Sequence, residues 1–181
     1  MVVLDSYNAG GAVGYTIENI YNGAGIVRCA QVVQATASIA ATLTQLTLAP
    51  AKVGLPSATM RYDVYDAAMV LRDWSATFAA SLLPAGFVNK TLTLTQSYVC
   101  ALGEVMWVGC RCTAAKSIDS SNCVNMETDT FLANTNKHRS NGAWSLQAGK
   151  LDFTLEGTAA GGLSVPVAMH HYGQMTRIHR G

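Results

Sequence analysis

The chain has 181 residues, of which 50% are hydrophobic and only 13% are Asp, Glu, Lys or Arg, and its net charge is +1. Soluble domains carry about 25% charged residues, so this surface must be wetted by Thr, Ser, Asn and Gly, and charge does little to hold copies apart. The balance argues against a strong electrostatic footprint for nucleic acid and for a chain that packs against copies of itself.

The length suits a single domain, residues 1–181, with one proper core. No apolar run approaches the ~20 residues of a membrane span. Met1, Val2, Val3, Leu4 and Asp5 lack the basic region and apolar core of a signal peptide, so the expected place of synthesis is the cytoplasm.

Residues 1–25 read as an irregular N-terminal arm rich in glycine (Gly10, Gly11, Gly14, Gly23, Gly25). Ala9-Gly10-Gly11-Ala12-Val13-Gly14 has the look of a phosphate loop, but no Lys-Ser/Thr follows. Tyr15-Thr16-Ile17 continues as strand, and a phosphate cradle needs a helix N-terminus behind it. Residues 26–48 are Val, Ile, Leu, Thr, Ala and Gln with one charge, Arg28, and predict two strands broken at Ser38-Ile39-Ala40. Residues 50–56 predict a loop between Pro50 and Pro56.

The spacing of Val64, Ala67, Ala68, Leu71, Trp74, Phe78 and Leu82 predicts one long amphipathic helix over 59–83. Arg61, Asp63, Asp66 and Asp73 fall on its other side, Thr59 is its N-cap, and Pro84 with Gly86 ends it. Thr91 to Thr95 alternates as a strand, and two short strands flank Gly103 between Tyr98 and Cys112. Residues 125–142 read as a long polar loop. Trp144 to Ala148 and Leu151 to Glu156 alternate, with Gly149-Lys150 as the hairpin turn between them. Val165 to Met169 predicts a last strand, and residues 170–181 a basic C-terminal tail. The expected fold is mainly β: a sandwich or barrel with the 59–83 helix on its flank.

Catalytic and metal chemistry finds little purchase. The five cysteines, Cys29, Cys100, Cys110, Cys112 and Cys123, are odd in number and read as reduced, buried small hydrophobes. Cys100, Cys112 and Cys123 lack the paired spacing of a zinc site. Adjacent His170 and His171 face opposite ways on a strand, and a site using His170, His179 and a cysteine is a weak alternative. No nucleophile elbow or His-Glu-x-x-His motif occurs. The chain is therefore expected to be no enzyme and to hold neither cofactor nor metal. Glu127 and Asp129 form the tightest carboxylate pair. Lys137, His138 and Arg139, with Arg177 and Arg180 in the tail, form small basic clusters. These seven are the candidate subunit-interface residues, meeting opposite charges on neighbouring copies.

Met126-Glu127-Thr128-Asp129-Thr130, then Asn141-Gly142-Ala143-Trp144, then Lys150-Leu151-Asp152-Phe153-Thr154-Leu155-Glu156-Gly157 resembles the signature of the tail tube proteins of tailed bacteriophages. The resemblance spans residues 126–157. It implies a β-sandwich flanked by one helix, assembled into stacked, usually hexameric rings around a DNA channel, with residues 125–142 as the loop that reaches neighbouring subunits. In that family the helix follows the motif, whereas here the predicted helix precedes it. The expected function is thus a self-assembling virion structural protein, with copies of itself and other virion proteins as partners and only passing contact with DNA. A head component (capsid, decoration or connector protein) is the alternative within that class. A carbohydrate-binding sandwich using Trp107, Trp144 and tyrosines is the alternative outside it.

Overall fold

Alternation of apolar and polar side chains, the period of a half-buried strand, organises nearly all of the chain. The computed structural model describes residues 1–8, 13–19, 27–113, 122–129, 136–140, 143–147 and 149–161. Its strands are β1 (Val2–Tyr7), β2 (Val13–Asn19), β3 (Val27–Thr36), β4 (Ala41–Leu48), β5 (Pro50–Val53), β6 (Thr59–Asp66), β7 (Leu71–Trp74) and β8 (Phe78–Ala79). After a 3-10 turn at Ala80–Leu82 come β9 (Lys90–Thr93), β10 (Val99–Cys100), β11 (Val105–Cys112), β12 (Cys123–Asp129), β13 (Asn136–Ser140), β14 (Ala143–Gln147), β15 (Lys150–Leu151) and β16 (Phe153–Ala159).

The protein is mainly β, and its strands pair antiparallel. The smaller sheet has the order β1-β16-β4-β10, with β9 also on β4. The larger runs β15-β12-β2-β3-β11-β6-β7, with β5 on β12, β8 on β6 and the β13–β14 hairpin on β3. Leu4, Leu43, Leu46, Leu48, Phe153 and Leu155 of the smaller sheet form one buried cluster with Val33, Ala35, Met60, Tyr62, Val64, Met106, Val108 and Cys110 of the larger. Burying such side chains contributes roughly 1.5–3 kcal/mol each, which makes this shared layer the main stabilising element.

Two local devices keep the register. The pairing of β16 with β4 steps from Glu156↔Gln45 to Gly157↔Leu43, leaving Thr44 as the extra residue. The bulge lets Leu43 and Leu46, three apart, both face the core, where strict alternation would expose one of them. Gly109, in the middle of β11, has β3 so close that an added Cβ would lie 2.0 Å from the Gln31 carbonyl oxygen. No side chain fits there.

The structure corrects five expectations. Residues 59–83 are not a helix: β6, β7, β8 and a short 3-10 turn occupy them. Of the residues on the helical spacing only Val64 enters the main core; the alternation of Met60, Tyr62 and Val64 is what tertiary pairing selects. Met60, Tyr62 and Val64 enter the core while Arg61, Asp63 and Tyr65 take the opposite face. Asp66 then reverses the chain, its Oδ1 accepting the Ala68 and Val70 N–H groups at 2.9 Å each, with Met69 at φ 63°.

The 1–25 arm contains β1 and β2, and the 50–56 loop contains β5. Within the 125–142 loop, β12 pairs with β2, β5 and β15, and β13 pairs with β3 and β14. Gly149 does take a positive φ of 90°, but it does not turn a hairpin, because β14 pairs with β13 and β15 with β12.

Three expectations about strands hold. β3 and β4 break at residues 37–40, and β10 and β11 flank Gly103. Leu151, Phe153 and Leu155 are buried together. No helix among the described residues is long and apolar enough to cross a membrane. The expected strand at Val165 to Met169 and the 170–181 tail lie outside the described residues.

Candidate functional site

The outward face of the larger sheet carries a charged cluster that period-two geometry assembles from two strands. Arg61 and Asp63 are two apart on β6, and Arg111 on β11 lies directly opposite Arg61. Two like charges in that position repel. Asp63 resolves the conflict: it is fully buried, with Oδ1 2.6 Å from Arg61 Nε and Oδ2 2.9 Å from Arg111 Nε. The first contact is an aligned hydrogen bond; the second is an ion pair whose N–H does not point at the oxygen. Tyr65 Oη donates to Oδ2 at 2.7 Å. Opposite Asp63 stands Gly109, which presents no side chain beside the carboxylate. Arg61 also lies over the Trp74 ring, 5.3 Å from its centroid, and its Nη2 is buried without a hydrogen-bond partner.

Beside this cluster lies a second, smaller apolar core of Val32, Tyr65 and Trp107, packed by Met69, Leu71 and Trp144. Trp144 sits on β14, and β13, β3 and β11 separate β14 from β6 in the pairing order. In a flat sheet those four steps would separate them by about 19 Å. The Trp144 and Tyr65 rings instead meet edge to face at 5.2 Å, so the β13–β14 hairpin curls back over the sheet. Lys137 of β13 places its ammonium 4.0 Å from the Trp107 ring centroid. The contact tethers the hairpin and shields the indole.

The predicted interface residues are thereby distributed, not gathered. Glu127 and Asp129 lie on β12, where the Glu127 N–H donates to the Ala49 oxygen and Asp129 is opposite Lys150. Lys137, His138 and Arg139 are consecutive on β13, opposite Val32, Gln31 and Ala30. Strands β2 and β3 stand between β12 and β13 in the larger sheet. Arg177 and Arg180 lie outside the described residues.

Two further features went unread in the sequence. Asp73, fully buried, accepts backbone N–H groups from Trp74, Thr95 and Gln96 on Oδ1 and from Tyr98 on Oδ2, at 2.7–3.1 Å. It fastens residues 95–98 to β7. Tyr98 Oη in turn bonds Glu104 Oε1, whose Oε2 accepts the Ala101 N–H. Burial, helped by Glu104, pushes the Tyr98 hydroxyl up to about 12. An acid at a strand end before a polar Thr-Gln-Ser run was the available signal for the first.

Cys100, Cys110, Cys112 and Cys123 are buried, as expected of small hydrophobes. Burial, reinforced by nearby Asp63, holds the Cys110 thiol well above its ordinary range, so it is protonated and unreactive. No group of three His, Cys, Asp or Glu side chains suited to a metal occurs among the described residues. What the charged cluster does chemically is hold β6 and β11 together. No protein-family model matches the chain, and a search of curated proteins returns no match to its sequence.

Proposed function

We propose that the chain is a self-assembling structural subunit of a virus particle. A tail tube of stacked rings is the first arrangement to test, and a head component (capsid, decoration or connector) is the second. One observation carries the reading: a chain with only 13% charged residues engages several of them inside the subunit and leaves large apolar side chains exposed. Asp63 and Asp73 are fully buried, Arg61 and Arg111 are held by Asp63, and Lys137 is seated on Trp107. Meanwhile Val3, Leu55, Leu82, Val99, Leu102 and Leu146 are exposed. A lone subunit with that surface invites association, and in a symmetric assembly one modest contact repeated many times suffices.

The carbohydrate-binding alternative needs open ring faces. Trp107 is buried under Lys137 and Trp144 leans on Tyr65, which removes two of its proposed platforms.

Negative-stain microscopy of the purified full chain tests the proposal. Rings or tubes favour the tail arrangement and closed shells, trimers or pentamers the head. Fields of separate small particles at every concentration contradict both.

A further inference from the structure

One carboxylate serves two guanidinium groups on the outward face of the larger sheet. Asp63 takes both by their Nε atoms, at 2.6 Å from Arg61 and 2.9 Å from Arg111. Among the described residues, the terminal Nη groups of the two arginines have no hydrogen-bond partner, and Arg61 Nη2 is in addition buried. A buried cationic N–H without an acceptor is destabilising, and native structures satisfy such groups with a ligand, an ion or water. Both side chains keep an opening to solvent, 15% exposed for Arg61 and 25% for Arg111.

Strand register extends the cationic row. Arg61 is opposite Arg111, Arg111 is opposite Ala30, and Ala30 is opposite Arg139. Three arginine positions and one alanine thus lie on a single line across β6, β11, β3 and β13. From Arg111 to Arg139 that line spans ~10 Å, two strand spacings. The next line holds Asp63, Gly109, Val32 and Lys137, whose ammonium lies against Trp107. The two lines together carry four cations and one carboxylate. The other acids of this sheet are paired or set apart. Asp66 meets Arg72, and Asp73 is closed by backbone N–H groups. Glu18 is opposite Arg28. Glu127 and Asp129 lie on β12, which joins β3 only through β2, itself paired with β3 at Val27 and Arg28 alone.

From this row we infer that the outward face of the larger sheet binds a dianionic phosphoryl group, free phosphate or a phosphate monoester, gripped by the Nη groups of Arg61 and Arg111 with Lys137 and Arg139 alongside. A guanidinium forks two oxygens of a phosphate at once. Charge selects among oxyanions. A carboxylate or a phosphodiester brings one negative charge, whereas a phosphate monoester brings nearly two at neutral pH, which better offsets the cationic excess. Between the cations, Ala30 and Gly109 offer no side chain beyond a methyl. The site goes beyond the assembly reading and does not depend on it.

The test uses the full-length chain and three probes: inorganic phosphate, phenyl phosphate, and a dinucleoside monophosphate whose single phosphate is a diester. Phosphate and phenyl phosphate should each bind saturably in calorimetry and raise the melting temperature, and sodium chloride at matched ionic strength should not raise it. The dinucleotide should bind about tenfold more weakly. Arg111→Lys keeps a cation beside Asp63 but loses the fork, so it should weaken phosphate binding about tenfold with circular dichroism unchanged. Chloride that matches phosphate, or Arg111→Lys that binds phosphate as tightly as the parent, overturns the site. A dinucleotide as tight as phenyl phosphate overturns the selection for a dianion. Should Arg111→Lys fail to fold, the parent's response to phosphate against chloride decides.

Discussion

At the scale of single residues, the polar groups in the interior sort by whether they have partners. The Tyr62 hydroxyl is buried in the main core without a hydrogen bond, and burial drives its ionisation far above the ordinary tyrosine range. Removing an unpaired buried hydroxyl removes a desolvation cost. Tyr62→Phe should therefore be neutral or stabilise by up to about 1 kcal/mol in urea unfolding. Its neighbour gives the opposite result. Among the described residues Asp63 is the only carboxylate paired with Arg61 and Arg111, and Asp63→Ala leaves two cations facing each other across β6 and β11. Loss of a buried partner costs roughly 3–5 kcal/mol; with both arginines partly solvated, about 3 kcal/mol is the expected fall. A larger loss from Tyr62→Phe than from Asp63→Ala would invert this account of the sheet. The buried thiols make a simple companion test: under native conditions a thiol reagent should leave Cys100, Cys110, Cys112 and Cys123 unmodified until denaturant is added.

At the scale of elements, backbone closeness and tethered loops decide. Gly109→Ala forces a methyl group into the β3 backbone and should destabilise by about 3 kcal/mol or prevent folding. The 95–104 segment should respond to alkali. Tyr98 titrates near 12 in the fold against about 10 when unfolded. The folded state thus favours the protonated phenol: this contribution is fully present below pH ~10 and fades as pH rises through the folded value. Tyr98→Phe should flatten the alkaline fall in stability across that window; an unchanged alkaline slope would contradict the Tyr98–Glu104 link. Asp66 runs the other way. The Val70 N–H, then Arg72, hold its carboxyl below the usual range, so its contribution is lost as pH falls through the folded value.

Much at this scale was legible. Thr and β-branched residues marked β3 and β4, and alternation placed Leu151, Phe153 and Leu155 on one buried face. The 59–83 segment misled because a helical spacing starting at Val64 overlaps the short alternation Met60, Tyr62, Val64, and the deciding terms were non-local. These were the pairing of β6 with β11 and the Asp63 link to Arg111, nearly fifty residues on. The 125–142 segment misled because polar strands that pair on both edges look like loop. Deleting residues 130–140 should accordingly damage the fold, since β13 and the Lys137–Trp107 contact go with it. Melting of that deletion at the parental temperature would contradict the hairpin's role.

At the scale of the whole molecule, fold and proposed assembly share a cause. A chain with few charges has used several of them to join strands inside the subunit, and it leaves large apolar groups exposed. The outer cluster of Arg61, Asp63 and Arg111 was hidden from sequence reasoning because a helix has no edge to pair with β11, whereas β6 sets Arg61 directly opposite Arg111.

What most directly tests whether this surface is built for copies of itself is the mass of the purified full chain across a wide concentration range, by sedimentation or light scattering. Growth from the 19.1 kDa chain to large, regular multiples is the predicted result. A particle that holds the mass of one chain up to millimolar concentration would contradict it, and with it the claim that identical molecules cover each other's exposed apolar groups.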